Sequence, residues 1–154
     1  MDFGLRQAVA ADCDWLWVTK TRCLRGYIEQ TYGAWDEDTQ RARFDATFIP
    51  GEIHIVSIDG RDAGFIAARQ DPDAIQLFNL MIAPEFQNRG LGAAVLGELL
   101  AVAQARHLPV RLQVMKVNPA RRLYERMGFV VNEAEETPTH YRMVWRPLAA
   151  RGDS

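Results

Sequence analysis

The chain has 154 residues, 48% of them hydrophobic and 25% charged, a composition typical of one globular domain and not of a disordered chain. Its formal net charge of -2 creates no overall field that would attract nucleic acid or an acidic membrane surface. No apolar run reaches the roughly 20 residues that span a bilayer, and Met1–Arg6 lacks the basic and apolar segments of a secretion signal. We therefore expect a cytoplasmic protein that binds neither membranes nor nucleic acid.

Apolar periodicity and turn-forming residues predict both helices and strands along the chain. In chain order they are a strand at Leu5–Val9, a helix from Asp12 to about Gln30, a helix capped by Asp36 that ends before Pro50, strands at Ile53–Ile58, Ala63–Arg69 and Ile75–Ile82, a helix from Gly90 to about His107, a strand at Val110–Val114, a helix at Asn118–Met127, and strands near Phe129–Val131 and His140–Trp145. This order predicts a mixed α/β fold with a largely antiparallel central sheet flanked by helices. We expect one domain at residues 1–148 and a short tail at 149–154.

The cysteines and histidines predict neither a disulfide framework nor a metal site. Cys13 and Cys23 lie ten residues apart on one predicted helix, which is beyond the reach of a disulfide. His54, His107 and His140 show no spacing that would hold a metal ion.

The segment after the strand at Ile75–Ile82 has the chemistry of an anion site. A helix is predicted to begin at Gly90-Leu-Gly92, and the first turn of a helix presents unpaired N–H groups and the positive end of its dipole. Glycines there remove side chains that would keep a pyrophosphate away from those amides. The alternative is that both glycines serve only a turn and close helix packing.

A second informative block begins at Asn118, which can cap a short helix, and ends at Gly128, which suits a left-handed helix exit. Helical spacing predicts that Leu123 and Met127 face the core together, with Tyr124 on a neighbouring face.

These two blocks resemble the GNAT acetyltransferase superfamily over essentially the whole chain. Gln87-Asn-Arg-Gly-Leu-Gly92 matches all fixed positions of its [QR]xxGx[GA] pyrophosphate loop, at the strand-to-helix junction that this loop requires. Ala120, Tyr124, Gly128 and Phe129 match its Asn-x-x-Ala-x-x-x-[Tyr/Phe]-x-x-x-Gly-Phe signature. Asn118 stands two residues before Ala120, where the commoner pattern has three, so a contact with coenzyme A and a purely capping role both stay open.

The resemblance implies a GNAT-like fold with two splayed parallel strands, acetyl-coenzyme A as cosubstrate, no metal, and N-acetyl transfer to a primary amine of a small molecule or peptide by direct attack. The implied coenzyme A contacts are the main chain of Leu80, Met81 and Ile82, the loop residues Gln87, Asn88, Arg89, Gly90, Leu91 and Gly92, and also Asn118 and Tyr124. Tyr124 would be the general acid that protonates the leaving thiolate, and the alternative for it is a packed aromatic side chain.

The general base and the acceptor stay open at this stage. Glu29 is the first candidate base, followed by Glu37 and His54, and the alternative for each is a surface charge. The connector at residues 27–38 combines aromatic and acidic side chains, which would suit a cationic acceptor; alternatively, its aromatics belong to the core and its acids begin a helix. A non-catalytic acyl-coenzyme A sensor and a protein- or tRNA-modifying acetyltransferase are the alternative functions, and both a monomer and a homodimer are compatible with the sequence.

Overall fold

The computed structural model describes residues 2–149, so the predicted tail lies outside the described residues from residue 150 onward. The strands are β1 (Gly4–Gln7), β2 (Ile53–Ile58), β3 (Arg61–Gln70), β4 (Ile75–Ile82), β5 (Val110–Met115), β6 (Val130–Val131) and β7 (His140–Trp145). The helices are α1 (Cys13–Tyr32), α2 (Glu37–Thr47), α3 (Leu91–Arg106) and α4 (Arg121–Arg126), with short 3-10 turns at Ala10–Asp12, Pro50–Glu52, Pro84–Phe86 and Glu133–Glu135.

The strands form a seven-stranded sheet in the order β1-β2-β3-β4-β5-β7-β6. β4 and β5 pair in parallel, with Ile75 opposite Val110 and Leu77 opposite Leu112. The pairs β1–β2, β2–β3, β5–β7 and β6–β7 are antiparallel. The mixed α/β fold with a largely antiparallel sheet is therefore confirmed.

The described chain divides into two compact units, residues 2–67 with 79–92, and residues 68–78 with 93–149. The prediction of a single domain at residues 1–148 stays a prediction. No helix within residues 2–149 is both long and apolar enough to cross a bilayer.

In the first unit, α1 and α2 pack their aromatic residues around one face of the β1–β3 strands. Leu16 and Ile55 are fully buried, and Trp17 and Phe65 belong to the same core cluster. The Trp17 ring lies 5.5 Å from the ring of Phe44, the buried residue of α2. Such burial, and not the weak intrinsic helix preference of these sequences, stabilises the two helices.

Of the two predicted helix caps, the one at Asp36 is confirmed and the one at Asp12 is wrong. The Asp36 carboxylate accepts a hydrogen bond from the Thr39 N–H at 3.1 Å, so it caps α2 as predicted. The prediction for Asp12 is wrong, because its carboxylate accepts from the Val9 N–H at 2.9 Å and pairs with Arg6. α1 therefore begins at Cys13 without a side-chain cap.

In the second unit, the core lies between α3 and the strands β5 and β7. Val95 and Leu96 of α3, Val110 of β5 and Met143 of β7 are at most 1% exposed. Alternate residues at the start of β5 are buried and exposed, as expected of a strand with one face packed and one face in water.

α4 is shorter than predicted and buries a different residue. The Asn118 side chain accepts from the Ala120 N–H at 2.9 Å and so closes a turn ahead of the helix, which delays the helix start to Arg121. Tyr124 is only 7% exposed, whereas Leu123 and Met127 are half-buried, so the predicted facing of this helix is wrong. In so short a helix, the exit at Gly128 decides the packing: its φ of 101° directs the next residue back onto Tyr124.

Candidate functional site

The loop before α3 has a backbone shaped to receive an anion. Asn88 and Gly90 have positive φ angles of 62° and 80°, and Arg89 between them has a negative φ. Residues that alternate in the sign of φ turn successive N–H groups into one concavity, and α3 begins directly afterwards at Leu91. Residues 87–90 are exposed, whereas Leu91 is only 2% exposed and anchors the loop. The main chain therefore fits a pyrophosphate group.

The polar side chains of the motif hold this loop in shape. The Gln87 amide donates to the Ile82 carbonyl at 2.8 Å, which ties the loop back to the end of β4. The Arg89 guanidinium donates to the Glu85 carbonyl at 3.1 Å and lies 5.7 Å from the centre of the Phe86 ring. In this arrangement both side chains order the backbone. The Gln87 N–H donates to the Pro84 carbonyl at 3.2 Å, so the amides from Asn88 onward are the groups left to bind an anion.

The charge around the loop is positive. The Glu85 carboxylate pairs with Arg22 at 2.7 Å, and this guanidinium lowers the pKa of Glu85. Arg61 lies 4.8 Å from the Phe86 ring, whose surroundings also include Arg89. Because the Glu85 carboxylate is paired with Arg22, the guanidinium groups of Arg61 and Arg89 beside Phe86 favour a bound anion.

The end of β4 is held close to β3 because residue 64 is glycine. A Cβ atom at Gly64 would lie 2.2 Å from the Met81 carbonyl oxygen and 3.1 Å from the Ile82 Cα. The Ile82 carbonyl already accepts hydrogen bonds from Gln87 and from the Cys23 thiol, the latter at 3.3 Å. Of the main-chain groups predicted to hold a pantetheine arm, the Ile82 carbonyl is therefore engaged within the protein. No local pattern around residue 64 indicates that Gly64 positions the main chain of Met81 and Ile82.

Tyr124 and Asn118 lie in the second unit, one on α4 and the other just before it. The Tyr124 ring contacts Phe129 edge to face, with centroids 5.6 Å apart, and burial raises the pKa of Tyr124 to about 12. Its hydroxyl therefore stays protonated at neutral pH and is available to donate a hydrogen bond. The Asn118 side-chain oxygen is engaged in the turn at Ala120.

The family model of the Acetyltransferase (GNAT) family matches residues 15–129, which is most of the chain. The chain belongs to the GNAT acetyltransferase family.

Relatives within the GNAT family differ in the acceptor that their names give. The chain is 33% identical to a mycothiol acetyltransferase from Acidimicrobium ferrooxidans over 126 residues, which cover 77% of the chain and 39% of that protein. It is 34% identical to the [ribosomal protein bS18]-alanine N-acetyltransferase from Haemophilus influenzae over 79 residues, or 51% of the chain and 53% of that protein. The chain thus matches about two fifths to one half of the length of these relatives.

Solved GNAT structures share the fold at low sequence identity. The PaiA N-acetyltransferase from Thermoplasma acidophilum in complex with coenzyme A superimposes with a TM-score of 0.73 at 17% identity, covering 95% of this chain and 99% of that one. The ribosomal-protein-S18-alanine N-acetyltransferase from Escherichia coli has a TM-score of 0.68 at 20% identity and covers 98% of both chains.

The candidate bases of this GNAT chain are mostly engaged in other contacts. The Glu29 carboxylate accepts from Arg25 at 2.8 Å, and Arg25 in turn lies 5.5 Å from the Trp35 ring. The Glu37 carboxylate accepts from the Trp35 indole N–H at 2.6 Å. His54 is exposed on β2. Each glutamate therefore accepts a hydrogen bond from within the protein through one carboxylate oxygen.

Trp35 and Asp36 of the connector make the contacts of a core edge and a helix start. Trp35 packs against the core cluster and lies 6.0 Å from the Trp17 ring, while Asp36 caps α2. These contacts place Trp35 at the core, whereas Tyr32 is 64% exposed, so the core interpretation holds for Trp35 and not for Tyr32. Within residues 2–149, no three histidine, cysteine or acidic side chains are grouped so as to hold a metal ion.

Proposed function

We propose that this chain transfers an acetyl group from acetyl-coenzyme A to a primary amine by direct attack of that amine. The observation that carries the proposal is the loop at residues 87–92, whose alternating backbone opens onto the start of α3 in a chain of the GNAT family. Family membership supports acetyl transfer, and the positive surroundings of Phe86 support the binding of a phosphorylated cosubstrate.

Some groups of the chain bind the cosubstrate, and another stabilises the leaving thiolate. Bound acetyl-coenzyme A supplies the acetyl group as a thioester. The amides of residues 88–92 bind its pyrophosphate, since the Gln87 N–H already donates to the Pro84 carbonyl at 3.2 Å. The main chain of Leu80 and Met81 binds the pantetheine arm. Burial raises the pKa of the Cys23 thiol, which keeps it protonated and unsuited to forming an acyl-enzyme, so transfer is direct.

Tyr124 acts on the leaving thiolate mainly as a hydrogen-bond donor. Its pKa of about 12 lies roughly 3.5 units above that of an ordinary thiol, so complete proton transfer would be uphill by about 5 kcal/mol. The close match expected for an unperturbed tyrosine does not hold, because the ring is buried. A donated hydrogen bond still stabilises the charge that develops on sulfur, and water supplies the proton afterwards.

The acceptor best suited to this site is an α-amino group. An α-amine with a pKa near 8 is roughly one quarter neutral at pH 7.5, whereas an alkylamine of pKa about 10.4 is neutral to only about 0.1%, a difference of about 200-fold. An amine that is already partly neutral needs no strong base, and the Glu29 and Glu37 carboxylates each already accept a hydrogen bond within the protein. The relative named for acetylating alanine of ribosomal protein bS18 supports this choice.

The test combines coenzyme A binding with release of free thiol. We expect calorimetry to detect acetyl-coenzyme A binding and Gly90→Ala to weaken it at least tenfold, because alanine is strained at a φ of 80°. Gly26→Ala is the matched control, since a Cβ there meets no atom within 4 Å. Among equimolar amines, those with an α-amino group should release thiol fastest.

Each alternative function has its own result in this experiment. Tight acetyl-coenzyme A binding without thiol release from any amine or peptide would favour an acyl-coenzyme A sensor. Salt-sensitive RNA binding would favour a tRNA-modifying enzyme. If the folded chain takes up no coenzyme A, the proposed function is wrong.

A further inference from the structure

A cavity of about 380 Å³ lies in the groove between α1 and α2. Its walls are mainly apolar and include Trp17, Leu24, Ile28, Trp35 and Phe44. Trp17, Leu24 and Ile28 of α1 are seven and four residues apart, so they lie on one stripe of the helix. The cavity lies within the first unit, and none of these residues belongs to the loop or the strand end assigned to coenzyme A.

The charged groups of this cavity are cationic. Lys20 and Arg43 line it, and no acidic residue does. The Lys20 ammonium lies 5.7 Å from the centre of the Phe44 ring. Burial lowers the pKa of Lys20, and no acidic side chain among the described residues contributes to this shift. Lys116 gives the contrast, because its ammonium lies 2.9 Å from the Glu136 carboxylate.

An ammonium that is removed from water without an anionic partner destabilises the fold, and a bound anion would offset that penalty. The aromatic walls add a second requirement, because burying them against a ligand is favourable only if the ligand has an apolar body. A volume of about 380 Å³ admits a ligand much larger than one water molecule or a simple ion. Shape, wall chemistry and charge therefore point to the same class of ligand.

We propose that the groove between α1 and α2 binds a small organic anion, whose aromatic or branched apolar body packs against Trp17, Trp35 and Phe44 and whose carboxylate pairs with Lys20. This goes beyond the proposed acetyl transfer and does not depend on it. The complementary charge selects a carboxylate over an amine at this position, since Lys20 and Arg43 would repel a cation.

The sequence offers a direct probe, because Lys20 and Lys116 are its two lysines. Reductive methylation with ¹³C-formaldehyde labels both and keeps their charge. We expect titration with 3-phenylpropionate to give a saturable shift of the Lys20 methyl signal and none of the Lys116 signal. Neutral 3-phenylpropionamide, which has the same body without the charge, should bind at least tenfold more weakly.

Variants of the unlabelled protein separate charge from shape. Lys20→Met should weaken 3-phenylpropionate binding at least tenfold in a tryptophan fluorescence titration, while the control Lys116→Met leaves it unchanged. Ala46→Trp narrows the cavity and keeps Lys20, so it should weaken the acid and the amide alike. Near-UV circular dichroism and acetyl-coenzyme A binding, measured on the same variants, show whether each remains folded.

Two results would overturn the inference. One is the absence of any saturable shift of the Lys20 signal at 10 mM 3-phenylpropionate. The other is equal affinity of wild type and folded Lys20→Met for this acid. Neither result bears on acetyl transfer, which is measured separately as coenzyme A binding and thiol release.

Discussion

Replacing Gly64 by alanine should disturb the proposed coenzyme A site by displacing the end of β4. The new Cβ would lie 2.2 Å from the Met81 carbonyl oxygen, and such contacts are essentially never shorter than 3.0 Å, so the end of β4 must move by at least 0.8 Å. The contacted atom belongs to the main chain and not to the tip of a flexible side chain, so the strand itself has to shift. Overpacking of this kind typically destabilises a protein by about 1–3 kcal/mol.

The expected effects are measurable in two assays. A loss of about 2 kcal/mol lowers the Tm of a chain of this size by roughly 4–8 °C, as followed by circular dichroism. The same shift misplaces the main chain of Met81 and Ile82, and losing one hydrogen bond to the pantetheine arm weakens coenzyme A binding about tenfold in calorimetry.

The matched control is Gly26→Ala, at an exposed site of α1 where a Cβ meets nothing within 4 Å. Because alanine favours a helix over glycine by about 1 kcal/mol, this variant should be slightly more stable and bind coenzyme A unchanged. If Gly64→Ala melts and binds like wild type, the close approach of β3 to β4 does not position the site.

Three further substitutions test the roles assigned to single side chains. Tyr124→Phe should lower turnover in the thiol-release assay by roughly one to three powers of ten at unchanged acetyl-coenzyme A affinity, and unaltered turnover would leave Tyr124 a packing residue. Gln87→Leu removes the 2.8 Å bond to Ile82 and should weaken coenzyme A binding about tenfold, whereas equal affinity would mean that the loop keeps its shape without this tie. Burial lowers the pKa of Lys20 below 10.5, so at this group the unfolded state binds more protons, and the Lys20 contribution to stability rises with pH up to about 10.5. Lys20→Met should therefore be more stable at neutral pH in urea unfolding, with an advantage that shrinks as the pH approaches 10.5; a pH-independent difference would contradict the burial of this charge.

Regular patterns in the sequence were sufficient to predict most of the fold. β2 and β4 have the predicted bounds, because turn-forming residues at 59–60 and 71–73 delimit the strands of this meander. α4 was predicted less well, since its start depends on which backbone N–H the Asn118 side chain binds, and its burial depends on the packing of Phe129. Neither contact follows from helical periodicity.

The candidate site was predictable only where local backbone chemistry determines it. Gly90 and the start of α3 follow from the local sequence, because a positive φ and a helix terminus are local properties. The contact of Gln87 with Ile82 and the approach of Gly64 to β4 depend on the tertiary structure. The groove beside Lys20 likewise exists only once α1 and α2 have packed together, so no spacing in the sequence indicates it.

The strand order also bears on how the chain behaves at high concentration. Its two outermost strands are its shortest, with four residues in β1 and two in β6. The ten- and eight-residue strands β3 and β4 lie inside the sheet and form neither of its outer edges, and β4 pairs with β5 over Ile75–Leu77. A neighbouring molecule would thus find few free amides and carbonyls to extend the ladder, which protects the chain against edge-to-edge aggregation.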